Sequence, residues 1–145
     1  MSKLNEIKNG NILVEESGEY SYYDRIKKDL DLEYDFQFNS SDVETDIIIR
    51  LVAETSAKIR IKISLNADNH SLRNIVAKLD IKVFNLGERS KITIEPILLV
   101  GSNSIEIDHK VAIGQFERES VDYLLSRGVD KNKALLLISD SILKN

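Results

Sequence analysis

In Ala57–Leu65, AKIRIKISL, an aliphatic residue occupies every second position. Ile59, Ile61, Ile63 and Leu65 alternate with Lys58, Arg60, Lys62 and Ser64. Successive side chains on a strand point to opposite faces, so this pattern predicts one buried aliphatic face and one solvated basic face. LEYDFQF repeats the pattern, with Leu32, Tyr34, Phe36 and Phe38 inward, and so do LDIKVF, KITIEPIL and SIEID. TDIIIRLV is apolar almost throughout, as expected of a strand covered on both faces or central in its sheet. The prevalence of Ile, Val and Thr suits a pleated surface, because their χ1 freedom is already restricted.

Strand centres recur about every 12 to 16 residues, the interval of an all-β sandwich, barrel or solenoid. The links NSSDVE, NADNHS, NLGERS and GSNS carry Asn, Asp, Gly and Ser, which tolerate left-handed backbone or close Asx turns. They leave no room for crossover helices, which argues against a doubly wound α/β sheet. Pro96 falls inside a strand pattern and marks an edge, a bulge or a strand start. YYDRIKKDLD (Tyr22–Asp31) reads as a short helix. After Phe116 the period changes. ERESVDYLLSR places Val121, Leu124 and Leu125 on one helical face, with acidic residues in the first turn and Gly128 as the left-handed terminator. A second helix follows, with Asp130 as N-cap and Ala134, Leu135, Ile138 and Ile142 as its apolar stripe. The expected division is a β body over 1–116 and a helical hairpin over 117–145.

Composition narrows the function classes. At 145 residues the chain is one domain's worth, with 42% hydrophobic and 30% charged residues. A net charge of -4 and 6% aromatic content offer neither the basic field nor the stacking surface that nucleic acid requires. With no cysteine, the chain offers no disulfide, thiolate ligand or cysteine nucleophile, and it is compatible with a reducing cytoplasm. The stretch MSKLNEIKNGNILVEESGEY lacks an apolar core, so no signal peptide is expected, and no run is long enough for a membrane span. There is no G-x-S-x-G, Walker loop or G-x-G-x-x-G, and one Asp-His pair does not make a triad.

The segment IEPILLVGSNSIEIDHKVAIGQFERESVDYLLSRGVDKNKALLLISDSIL allows a further step. Pro96, Leu98, Ile107, His109, Gly114, Tyr123, Leu124, Ser126, Arg127, Gly128, Ala134 and Leu137 follow one another in a distinctive order and spacing. This resembles the C-terminal end of the SufB/SufD family core, the iron–sulfur cluster assembly proteins. Ser71 and Arg73 resemble the family's Ser/Arg pair at a turn feeding a rung; before about residue 45 nothing is recognised. The resemblance implies a mainly β fold, a right-handed parallel β-helix (a single-stranded solenoid) followed by helices. It also implies pairing with a SufB/SufD paralogue through the β-helix and binding of a SufC-type ABC ATPase through the C-terminal helices. The chain departs from the family by its shortness, its lack of cysteine, and Lys110 and Asp122 where a small residue and an aromatic are common. The first two departures argue against an independent scaffold and leave the assisting, partner-binding role open; the expectation is a non-catalytic, cytoplasmic component that acts by protein–protein contact. No cofactor is expected to be held stably, and any cluster would be shared transiently with a partner.

His109 is the candidate metal ligand, because neutral imidazole suits iron. Alternation, however, sends Glu106 and Asp108 to one strand face and His109 to the other, so ligands would have to come from a bulge or another subunit. The resemblance implies that the matching His lies at the contact between two paralogues, which makes packing at an interface the stronger reading. The interface candidates are His109, Tyr123, Leu124, Arg127 and Leu136. Arg127 also has a local explanation at a helix C-terminus, and His70 reads as a turn residue. Leu135–Ile138 is wider than one buried stripe, fit either to dock on an ATPase or to cap an open solenoid end. The alternative function is a self-associating structural module, a homodimer formed near His109. A cupin-like metal enzyme ranks last, since it needs several inward histidines and the chain has two.

Overall fold

A computed structural model describes residues 2–4, 9–54, 56–86, 90–115 and 118–144. Residues 87–89 of the NLGERS link, the 116/117 boundary and the Ile142 side chain therefore lie outside the described residues. Among the described residues nine strands precede two helices: β1 (Ser2–Lys3), β2 (Gly10–Val14), β3 (Gly18–Ile26), β4 (Leu30–Phe38), β5 (Glu44–Ala53), β6 (Lys58–Ala67), β7 (Ile75–Asn85), β8 (Lys91–Val100), β9 (Ile105–Gln115), α1 (Arg118–Ser126) and α2 (Lys131–Lys144). Each strand pairs in parallel with the next but one. One sheet runs β1-β3-β5-β7-β9, and the other runs β2-β4-β6-β8. Gly18 faces Thr45, Glu44 faces Val76 and Ile75 faces Ile105, so a turn of the coil takes about 30 residues and two strands. The result is the expected β-solenoid, of about three turns, with two C-terminal helices.

The inward positions are those that alternation marked. Leu32, Tyr34, Phe36 and Phe38 of β4 stack under Ile61, Ile63 and Leu65 of β6, and all are buried. Opposite them, Ile47, Ile49 and Leu51 of β5 meet Leu79, Ile81 and Val83 of β7. At the first turn Leu4 is fully buried, and its carbonyl accepts the Tyr34 hydroxyl at 3.0 Å. Burial pushes the Tyr34 phenol well above its ordinary pKa, with Tyr22 adding to the effect.

The outward basic stripe of β6 is not left to solvent alone. Arg60 pairs with Asp31 at 3.0 Å and Lys62 with Glu33 at 3.7 Å, one turn below in β4. The hydrogen bond and the charge of Asp31 hold the Arg60 guanidinium above its ordinary pKa. Side chains at the corners bind the next turn in the same way. Asn9, Ser17, Asp29 and Ser41 accept the backbone N–H of Glu33, Glu44, Lys58 and Arg73 at 2.7–2.9 Å. Asp42 and Asn74, at φ 60° and 55°, occupy equivalent corners, and the Asn74 amide donates to Asp42 at 2.9 Å. Asn and Asp are the side chains that best tolerate that left-handed geometry.

Two expectations need correction. Tyr22–Asp31 is not helical: it forms the end of β3, a turn and the start of β4. The pairing of β3 with β5 along Gly18–Ile26 outweighs a weak local helix propensity. Leu125 does not share the buried stripe of α1; it is exposed, whereas Val121 and Leu124 are half-buried. Other local readings hold. Pro96 lies on an edge strand, and β5, with Arg50 and Val52 buried outward, is central in its sheet. Val129 N–H bonds to the Leu124 carbonyl and Gly128 N–H to that of Leu125, around Gly128 at φ 82°. This is a Schellman ending. Asp130 then caps α2 through the Asn132 N–H at 3.2 Å.

Thr45 supplies a test of the core. It points inward between Gly18 and Ala77, is 2% exposed, and its hydroxyl has no hydrogen-bond partner. Thr45→Val removes an orphaned buried hydroxyl at nearly constant shape, so it should stabilise the chain by about 1 kcal/mol. A urea midpoint that falls instead would mean the hydroxyl is satisfied.

Candidate interaction surface

The two ends of the coil differ. At the first turn Ile12, Val14 and Tyr22 are buried, and Leu4, fully buried, belongs to the same core cluster. The last turn, built from β8 and β9, has no strand beyond it among the described residues. Stacking identifies its inward side chains. Ile92, Ile94, Pro96, Leu98 and Val100 sit over Ile59, Ile61, Ile63, Leu65 and Ala67. Ile105, Ile107, His109, Val111 and Ile113 sit over Ile75, Ala77, Leu79, Ile81 and Val83. The residues underneath are fully buried, yet Val111 is 39% and Ile113 53% exposed, while Ile92, Ile94, Leu98 and Ile107 are half-buried. Here the aliphatic interior of the coil meets solvent.

His109 stands in the middle of this end, over the buried Leu79 and between Ile107 and Val111. Glu106, Asp108 and Lys110 project from the opposite face, over Val76, Lys78 and Asp80. The separation expected from alternation is therefore present. Among the described residues no three His, Cys, Asp or Glu side chains converge. Gly114 has a packing reason: a β-carbon there would lie 3.2 Å from the Phe84 ring.

The surface extends beyond the inward positions. Outward-facing Ile97 and Leu99 are exposed, so Pro96–Val100 is apolar on both faces. That is the composition of a strand destined for cover on both sides. Sequence reasoning missed the breadth of this rung. Its signals were PILLV, with no polar member, and the aliphatic residues flanking His109 at alternate positions.

The hairpin does not cap the open end. Arg25 of β3 donates to the Leu136 carbonyl of α2 at 3.4 Å, pairs with Asp140, and lies 3.7 Å from Glu54. Helix α2 thus lies against the outer face of the larger sheet, at β3 and β5. Among its described side chains, Ala134 and Ser139 are buried and Leu135 and Ile138 half-buried. A cleft of about 230 Å³ remains between Glu54, Leu86, Asn132, Leu135 and Leu136. Tyr123, Leu125, Leu136 and Leu137 face solvent, whereas Leu124 is half-buried. The Arg127 guanidinium, just past the end of α1, lies 5.4 Å from the Tyr123 ring centre, a cation–π contact beside the Schellman turn. The interface candidates accordingly separate into two places, His109 on the terminal rung and the others on the hairpin.

The family model for the SufBD core domain of SUF system FeS cluster assembly matches residues 21–142. The chain belongs to the SufB/SufD family. The match begins at residue 21, well before the point where the family's pattern is legible by eye. No curated protein matches the chain. Membership places this SufBD core in iron–sulfur cluster assembly. Among the described residues, no helix is long and apolar enough to cross a membrane.

Proposed function

We propose that this SufBD core acts in iron–sulfur cluster assembly by protein–protein contact, without catalysis of its own. The observation that carries this reading is the contrast between a closed first turn and an open last one. Exposed apolar ends of solenoids are sites of association unless something covers them. A SufB/SufD paralogue placed against β8 and β9 would bury the terminal rung and bring its own side chains to His109. In that arrangement iron or a cluster is cargo held between two chains, with His109 as this chain's contribution. The hairpin offers Tyr123, Leu125, Leu136 and Leu137 to a second partner, a SufC-type ABC ATPase.

Pull-down from the native organism with the full chain should recover both an ABC-type ATPase and a SufB/SufD paralogue. The pair Leu136→Asp and Leu137→Asp should lose the ATPase and keep the paralogue, because both residues are exposed in the isolated chain. Recovery of neither partner by the unmodified chain would overturn the reading. The second reading, self-association without the pathway, uses the same rung. It predicts a dimer of the purified chain by light scattering and no ATPase in the pull-down.

A further inference from the structure

A second polar feature lies at one corner of the coil, where the links after β6 and after β8 stack. His70, Arg73, Gly101, Ser102, Asn103 and Ser104 line an open concavity of about 470 Å³. Arg73 holds the corner with one terminal nitrogen. Its Nη1 donates to the carbonyls of His70 and Leu72 and reaches Ser102 Oγ at 3.3 Å. None of these bonds uses Nη2 or Nε, and the residue is exposed.

The serines continue the relay. Ser102 Oγ lies 3.2 Å from the Ser104 N–H and 3.0 Å from Ser104 Oγ. Having accepted from Arg73 and from the Ser104 amide, Ser102 is left to donate its own proton to Ser104 Oγ. The Ser104 hydroxyl proton is then free to point outward. The Nδ1 of His70 lies 3.1 Å from the Gly101 carbonyl, an acceptor, so Nδ1 carries the proton. Gly101 is needed at this corner, because a β-carbon would meet Asn69 N at 3.0 Å and the Asp68 carboxylate at 3.1 Å. The Asp68 carboxylate stands behind Gly101 and is not among the lining residues, while a guanidinium and a hydroxyl both present unused donors.

We propose that this corner is a binding site for a small tetrahedral oxyanion, of the phosphate or sulfate class. Arg73 Nη2 and Nε would supply the fork that matches two oxygens of such an anion, and Ser104 a further hydrogen bond. An exposed site of this kind binds weakly, with Kd on the order of 1 mM.

The test is an amide and arginine side-chain NMR titration of the full chain with sodium phosphate and with sodium sulfate. Sodium chloride at matched ionic strength serves as the control. The expected result is saturating shifts at His70, Ser102, Asn103, Ser104 and the Arg73 Nε–H, absent with chloride. Ser104→Ala should weaken binding several-fold with the spectrum otherwise unchanged, and Arg73→Gln should abolish it. Should Arg73→Gln disturb the corner itself, Ser104→Ala alone decides. Shifts that do not saturate, that chloride reproduces, or that Ser104→Ala leaves unaltered overturn the proposal.

Discussion

Asp80→Ala should lower stability by about 3 kcal/mol, the largest effect expected of a single substitution outside the aliphatic core. Arg50 projects from the outer face of β5 yet is only 6% exposed. Its Nη2 donates to Asp80 Oδ2 at 2.9 Å, and its Nη1 to the carbonyls of Asp80 and Ile49 at 3.0 and 3.1 Å. Removing the carboxylate leaves a guanidinium that cannot lose its charge, buried among carbonyls that do not neutralise it. The reverse deletion is milder. Arg50→Met keeps the volume and removes the charge that burial penalises; Asp80 keeps a buried, unpartnered Oδ1 that it already carries in the parent, and its side chain is one-third exposed, so water can reach the vacated Oδ2. It should cost about 1 kcal/mol. Urea unfolding of the two variants compares them directly. If Arg50→Met proves the more damaging, the pair stabilises by attraction and not by compensating a buried charge.

The second large effect concerns association. Val111→Asp combined with Ile113→Asp places two carboxylates on the open rung, at positions exposed in the isolated chain. The fold should tolerate them, with a thermal midpoint near that of the parent. Burying two unpaired carboxylates against another chain should weaken any complex through β8 and β9 by at least about 100-fold. Titration by fluorescence anisotropy or light scattering, with the paralogue or with a second copy, reads this loss. Undiminished association would place the contact elsewhere and remove the rung from the functional reading. His109→Ala is the gentler companion, because it trims the side chain stacked over Leu79 and adds no charge.

The likeness between the sequence reading and the structure has a physical pattern. Alternation in β4, β6 and β7 marks the inward faces because the strand period is set by each residue's own backbone. The Asp130 cap and the Gly128 ending are equally local, since their hydrogen bonds span five residues or fewer. His109 was legible as a residue set apart from Glu106 and Asp108, and the register of β9 on β7 places it so. Tyr22–Asp31 misled because its charged residues fit an exposed helix, whereas Tyr20, Tyr22 and Ile26 stack over β5 as a strand.

What the sequence by itself determined is therefore the alphabet of the fold. It specified alternating strand patterns, corners of Asn, Asp, Gly and Ser, a helical hairpin and, through Pro96 to Leu137, a resemblance to a family whose fold is a parallel β-helix. The tertiary structure alone decided which partners meet across a turn. Arg60 finds Asp31, Arg50 finds Asp80, and Arg25 draws α2 onto the flank of the coil instead of over its end. Those contacts join residues 29, 30 and 115 positions apart, and no local period encodes such separations. The open last turn has the same origin. Val111 and Ile113 have the sequence of core residues, and only the absence of a described strand above them makes them surface.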